Sequence, residues 1–250
     1  MLPILFKIGP LKIHSYGLAL VLAFYACYYL LHYDLKRLKY DPQLATDIIF
    51  FGAVCGILGS KIWYLIENIG AVLADPVGLI ISGYGLVFFG GLIGGTLGVT
   101  WVLLRNKLDW LTFGDIVAPL LILGYAIGRT GCFMNGCCYG VTTALPWGIH
   151  YPHLGPGIQV HPTQLYELTL GLLIFLFLWR RRLRLKTTGS LFFTYLVLAG
   201  AERFLIEFIR INPKYLFNLS GAQWFALIII AIGAYFLKYP PGKAYGSAAN

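Results

Sequence analysis

The chain has 250 residues, 58% of them apolar and 12% charged, with a formal net charge of +9. A water-soluble domain carries about 25% charged residues, so the composition excludes a soluble globular fold and points to an integral membrane protein. The positive balance does not indicate nucleic acid: the basic residues fall between apolar runs, where membrane topology uses them, and no basic groove interleaved with aromatics is present.

The opening seventeen residues lack a basic n-region and a small-residue cleavage site, so no cleavable signal is expected. A spanning helix needs about 20 mostly apolar residues. Seven stretches answer to that: 14–33, 46–66, 86–104, 112–132, 162–179, 188–209 and 220–237. Helix is required there, because unpaired backbone amides cannot stay in lipid. The expected fold class is therefore all-α, a polytopic bundle of about seven transmembrane helices forming one membrane domain over residues 1–250. Glycines in FGAVCGILGS and FFGGLIGGTLG suit close helix contacts. The Pro- and Gly-rich stretch 134–161 reads as an outer loop, with Trp147 and Tyr151 as interface aromatics and His150 and His153 as surface or structural residues. The tail 240–250 reads as disordered, its last residues as tag remnants. No internal repeat stands out.

Lysine and arginine in the connections set direction. Lys36, Arg37, Lys39, Arg105, Lys107, Arg180, Arg181, Arg182, Arg184, Lys186, Lys238 and Lys243 lie on one side. Lys7, Lys12, Arg210 and Lys214 lie on the other. The rich side is expected to be cytoplasmic, with the N-terminus outside and the C-terminus inside. That requires an odd number of spans.

Three basic residues remain, Lys61, Arg129 and Arg203, each within or at the edge of a span. An arginine mid-span costs about 2.5–3.5 kcal/mol on insertion scales, so a partner or a task is expected. With this orientation Lys61, Arg129, Arg203 and Glu167 share one depth beneath the outer surface. In the sixth span Arg203, Glu207 and Arg210 are spaced to stack on one helix face, with Glu202 on a neighbouring one. A buried structural ion pair with a snorkelling Arg210 would explain part of this. It fits Arg129 less well, since no carboxylate lies within one helical turn of it. Two outer-half arginines can bind one anion, and the guanidinium fork suits phosphate. The residues therefore indicate a lipid phosphate site open to the outer leaflet.

Several motifs resemble one family. They are an Arg-x-Gly-x-Phe-x-Asn-Gly segment after the fourth span, HPTQLYE opening the fifth and ERF-x-x-E-F-x-R in the sixth. An early Tyr-Gly-Leu and an aromatic-Gly-Gly-Leu-Ile-Gly third span complete the set. In this order the chain resembles the prolipoprotein diacylglyceryl transferases of the bacterial inner membrane. That likeness implies seven spans and transfer of diacylglycerol from phosphatidylglycerol, or a related anionic phospholipid, to a lipoprotein signal-peptide cysteine. It implies that Arg129 holds the lipid phosphate and that Arg203 and Glu207 form the catalytic pair, with Arg210 beside them. Tyr16, Gly90, Gly91, Asn135, Gly140, His161, Gln164 and Glu167 are implied in substrate binding, and Tyr166 matches the start of the fifth span. No cofactor is implied.

The chain departs from the family pattern at Phe89, where members have His, and at Cys132 and Cys137, where they have Asn and Glu; Cys138 follows. Four readings of these thiols stand at this stage. They are small packing residues, a disulfide on the oxidising side, a metal site with His150, His153 and His161, or a reactive thiolate beside Arg129. Cys-x4-Cys-Cys with scattered histidines is not a recognised zinc spacing, so no metal is expected. Cys27 and Cys55 read as packing. An alternative function follows from the thiols: a paralogue using Cys132, Cys137 and Cys138 for redox chemistry or covalent lipid transfer to another acceptor. A small-anion transporter is disfavoured by the missing repeat.

Overall fold

The computed structural model describes residues 4–8, 11–81, 87–185 and 187–242. The expected tail lies outside the described residues from 243 onward, as do Lys186 and Lys243. The chain opens with a hairpin that its apolar pattern did not announce, β1 (Ile4–Ile8) against β2 (Leu11–His14). Helices follow in order: α1 (Ser15–Arg37), α2 (Gln43–Glu67), the short α3 (Ile69–Ala74) and α4 (Pro76–Ile81), α5 (Phe88–Arg105) and α6 (Trp110–Asn135). The stretch expected as a loop then contains a small antiparallel pair, β3 (Ile149–His150) with β4 (Gln159–Val160). The chain ends with α7 (Thr163–Arg181), α8 (Ser190–Ile206) and α9 (Gly221–Lys238). Each apolar stretch coincides with a helix. Among the described residues α1, α2, α6 and α9 are long and apolar enough to cross a membrane, and α5 is a shorter apolar helix. The protein is mostly helical, in keeping with an all-α membrane protein.

The chain packs as two compact units, residues 31–110 and the remainder. In the first, α2 and α5 meet along glycine. A Cβ added to Gly59 would strike the Gly90 carbonyl oxygen, and one added to Gly94 would strike the Cys55 carbonyl. The two backbones therefore touch with nothing larger than hydrogen between them, the contact that small residues permit where lipid gives helices no hydrophobic reason to associate.

The second unit is built on α6, α7, α8 and α9. Ala118, Ile122, Leu178 and Leu191 form a buried cluster against which Tyr125, Ile174 and Tyr195 pack. On α9, Ser220 is the N-cap. Its hydroxyl accepts from Gln223 N, and the Gln223 side chain answers to Ser220 N, a capping box legible as Ser-x-x-Gln. The start of α8 has no such local cap. Its amides donate instead to Asp115 of α6: Gly189 N at 2.7 Å, Leu191 N at 2.8 Å and Phe192 N at 2.9 Å. A buried carboxylate at a helix N-terminus satisfies amides that have no intrahelical acceptor. Asp115→Ala is expected to lower stability by about 2 kcal/mol or more, with Asp115→Asn losing less. Thermal unfolding of the detergent-solubilised protein measures both.

Candidate active site

Charge gathers at one place in the second unit. Glu167 on α7 has no exposed side-chain surface and stands at its centre. Arg129 of α6 approaches through Nε at 3.1 Å, Arg203 of α8 through Nη1 at 3.3 Å, and Arg210, just beyond α8, through Nη1 at 3.3 Å. The Tyr125 hydroxyl donates to Glu167 at 3.0 Å and lies 3.3 Å from Glu202, while Arg129 Nη2 donates to that hydroxyl at 3.2 Å. The Arg129 guanidinium also lies 4.6 Å from the Tyr125 ring centroid. Arg129 Nε and Arg210 Nε meet their carboxylates at ionic distance without hydrogen-bond alignment.

Glu207 forms a second node in the 3₁₀ turn ending α8. It receives Arg203 Nη2 at 2.8 Å, Asn212 Nδ2 at 2.6 Å and the Ser220 hydroxyl at 2.7 Å, with Arg210 Nε at 3.7 Å. Both oxygens are engaged, so Glu207 is built to hold Arg203 in place. Arg210, for which snorkelling was one reading and a place beside the catalytic pair the other, is drawn inward between two carboxylates, since four- and three-residue steps set Arg203, Glu207 and Arg210 on one face.

The remaining candidates divide by place. Gly140 joins three segments: its N donates to His161 O at 2.9 Å, it bridges to Arg210, and an added Cβ would strike the Ile209 carbonyl and sit 2.8 Å from Thr163 Cγ2. Gly140→Val is expected to shift the Arg210 segment, lowering stability by about 1–3 kcal/mol and turnover with it, as read by thermal unfolding beside a transfer assay. Gln164 is buried. It donates to Cys137 O at 2.5 Å and lies 3.4 Å from the Tyr151 hydroxyl, so it anchors the loop. His161 Nδ1 lies 3.3 Å from the Tyr166 hydroxyl, which also receives Trp147 Nε1 at 2.8 Å. Asn135 is exposed at the end of α6. Tyr16 lies against Gly131, the residue before Cys132. Gly90 and Gly91 belong to the α2–α5 contact of the other unit, Gly91 facing the Ser60 hydroxyl. Lys61 is on α2 in that same unit, 5.4 Å from the Tyr64 ring.

Tyr151 corrects an expectation. It is fully buried, stacked 5.1 Å from Tyr139, and so is a loop core residue and not an interface aromatic; Trp147 is exposed. Three participants, Tyr125, Asn212 and Ser220, went unmarked in the sequence. Tyr125 is one helical turn before Arg129, which the four-residue spacing could have flagged. Glu202 was seen but placed on a different face; the Tyr125 hydroxyl links it to Glu167. Asn212 and Ser220 come from connections and offer no periodic signal.

All five cysteines are free thiols. Cys132, Cys137 and Cys138 hold their sulfurs within 4.8 Å of one another. Arg129 Nη1 is 4.0 Å from Cys132 Sγ. The Cys138 thiol is held well below the usual range, first by hydrogen bonds from the Cys132 and Cys137 thiols and then by Arg210 and Arg129. Beside Cys137 and Cys138 a cavity of about 430 Å³ opens, lined also by Tyr139, His153, Arg210 and Asn212.

An apolar helical chain that pairs its buried arginines with glutamates at one place is of the membrane-protein class. Comparison with known proteins makes this specific. The family described as prolipoprotein diacylglyceryl transferase matches over residues 3–239. A Clostridium tetani phosphatidylglycerol–prolipoprotein diacylglyceryl transferase is 35% identical over 240 residues, covering 94% of this chain and 96% of its own. One from Coxiella burnetii is 36% identical over 247 residues, covering 94% of each. One from Pseudoalteromonas atlantica is 35% identical over 223 residues, covering 88% and 79%. The chain belongs to the prolipoprotein diacylglyceryl transferase family.

Proposed function

We propose that this protein transfers the diacylglyceryl group of phosphatidylglycerol to the thiol of a lipoprotein-precursor cysteine, leaving a thioether. The observation that carries the reading is the convergence of Arg129, Arg203 and Arg210 on Glu167 in a chain of this family. Arg129 and Arg203 retain 16% and 25% of their side-chain surface, so both can turn toward an arriving phosphodiester without leaving Glu167. The acceptor thiolate attacks the glycerol carbon bonded to the phosphate oxygen. The sulfur–carbon bond forms, the carbon–oxygen bond breaks, and glycerol phosphate leaves with the electron pair. Guanidiniums fixed before the reaction stabilise the charge growing on that oxygen. Glu167 and Glu207 hold the guanidiniums, and Tyr16, Asn135, Gly140, His161 and Gln164 shape the surrounding pocket.

The reading extends to topology: seven spans in the bacterial inner membrane, the N-terminus and the 134–161 segment outside, residues 180–187 in the cytoplasm and the site toward the outer leaflet. The asymmetry of basic residues supports it. An impermeant maleimide applied to intact cells is expected to leave Arg181→Cys unlabelled; labelling there rejects the orientation. The function is tested by incubating the purified protein with phosphatidylglycerol and a lipobox peptide. The expected products are glycerol phosphate and a peptide heavier by one diacylglyceryl group. Failure to modify the peptide while headgroup is released would reject the acceptor.

A further inference from the structure

The three clustered thiols are not used by the reaction as written above, yet the fold takes trouble to gather them. Cys132 and Cys137 meet because α6 ends in a left-handed cap. Gly136 has φ of 71°, Cys137 N donates to Cys132 O at 3.1 Å, and Gly136 N donates to Phe133 O at 3.1 Å. That is the Schellman pattern, which brings the side chain three from the helix end against the second one beyond it. The Cys137 thiol in turn reaches Cys132 O at 3.7 Å.

The third thiol needs a further device, since adjacent side chains normally diverge. Cys138 takes φ of 65°, a left-handed backbone that a non-glycine residue adopts at a cost. The surrounding bonds hold it there. Thr163 Oγ1 donates to Cys138 O at 2.7 Å, Gln164 Nε2 to Cys137 O at 2.5 Å, and Arg210 Nη1 to Cys138 O at 3.5 Å. Both peptide carbonyls are tied to α7 and to the Arg210 segment, and the sulfurs are left facing one another. Strain maintained by surrounding hydrogen bonds is what a built site shows and an accidental thiol cluster does not.

We propose that Cys132, Cys137 and Cys138 hold one zinc ion as three thiolates, and that the open fourth position takes the acceptor cysteine of the lipoprotein precursor as its thiolate. Zinc–sulfur bonds of about 2.3 Å put tetrahedral ligands about 3.8 Å apart, so sulfurs already within 4.8 Å close on the ion with small movements. Charge favours the arrangement. Three thiolates and one zinc ion carry one negative charge, and a fourth thiolate brings it to two. Arg129, 4.0 Å from Cys132 Sγ, and Arg210, at Cys138, offset that excess. The cavity beside Cys137 and Cys138 supplies room for the fourth ligand.

The ion would also supply the nucleophile in its reactive form. A metal-bound thiol loses its proton outright, so no side-chain base is required to make the nucleophile. In the balanced step the acceptor thiol gives its proton, through water in the cavity, to the departing glycerol phosphate. Its sulfur forms the bond to the lipid glycerol carbon, the carbon–oxygen bond breaks, and the thioether product, a poor ligand, leaves the zinc. The same arginines that neutralise the phosphate adjoin the sulfurs, which sets nucleophile and leaving group side by side.

The inference rests on the proposed acceptor being a thiol, and its test separates the two. Zinc(II) is titrated into the purified full chain, and X-ray absorption at the zinc edge counts sulfur neighbours. One zinc per chain with three sulfurs is expected, rising to four with a lipobox peptide and not with a peptide whose cysteine is serine. Chelation should lower lipid transfer by at least about tenfold, as loss of metal-site integrity does elsewhere, and zinc should restore it. The Cys132→Ser, Cys137→Ser, Cys138→Ser triple variant should bind none. The wild-type titration stands even if that variant fails to fold. Full transfer by zinc-free protein, a sulfur count that stays at three with peptide present, or a disulfide among these cysteines in active enzyme overturns the proposal. A fourth sulfur from the peptide without any transfer from phosphatidylglycerol would instead leave the zinc site standing and reject the lipid donor.

Discussion

Glu167→Gln is expected to be the most damaging single substitution in the chain. The replacement keeps size and shape but removes the one negative charge that Arg129, Arg203 and Arg210 all share. Breaking a buried ion pair by removing one partner costs about 3–5 kcal/mol, because a charge is left uncompensated. Here three guanidiniums lose a common counter-ion, and the Tyr125 hydroxyl loses its acceptor at 3.0 Å. The expected result is a large fall in thermal stability or in membrane yield, with no measurable lipid transfer. A variant that keeps the wild-type unfolding temperature would show that the arginines do not depend on Glu167. Glu167→Asp tests distance: the charge returns, but a shorter side chain cannot meet three arginines together, so stability should recover more than activity.

The second large effect is on catalysis. Arg203 is the most exposed of the three arginines, at 25%, and is held by Glu207 at 2.8 Å and Glu167 at 3.3 Å. Arg203→Ala should leave a folded protein, since Glu207 keeps Asn212 and Ser220 as donors and Glu167 keeps two arginines. Losing one preorganised donor to a developing anion costs roughly 10²–10³ in kcat, and that is the expected size. Arg129→Ala should fall in the same range, with a larger loss of stability because its guanidinium also packs on Tyr125. Lysine at either position should restore little, as it offers a point charge where a planar fork is needed. A change confined to KM would reassign the arginine to ground-state lipid binding.

Much of this was readable from the chain. Helix positions followed from apolar length, and charges stranded in spans marked Arg129, Glu167 and Arg203, which do meet, together with Lys61, which lies on α2 of the other unit. The four- and three-residue spacing from Arg203 to Arg210 was also visible, but it left open whether Arg210 snorkels or joins the cluster, because periodicity reports a face and not what that face meets. Tyr125, Asn212 and Ser220 escaped, since hydroxyls and amides cost little in an apolar sequence and leave no pattern. The carboxylate of Asp115 passed unremarked for a related reason: its partners are backbone amides of α8, which no side-chain pattern can reveal. The three thiols were marked from their spacing, but not that their sulfurs meet, since the left-handed backbone of Cys138 leaves no signal in the sequence. The N-terminal hairpin and the β3–β4 pair were missed because they are too short to impose alternation.

The glycine seam between α2 and α5 bears on how tolerance maps of this protein should look. Gly59, Gly90 and Gly94 lie where two main chains touch, so any added carbon acts as a wedge. A saturation library would therefore show intolerant sites in rows about one helical turn apart, at Gly90, Gly94 and Gly98 of α5 and opposite them at Gly59 of α2. Those rows would persist when the library is sorted for expression alone, with no lipid or peptide offered. Alanine would already be rejected at Gly94, whose neighbour is main chain. At Gly56, where the nearest atom to an added Cβ is 3.5 Å away, it would pass. The contrast between those two positions distinguishes a helix joint from a substrate contact without any assay of turnover.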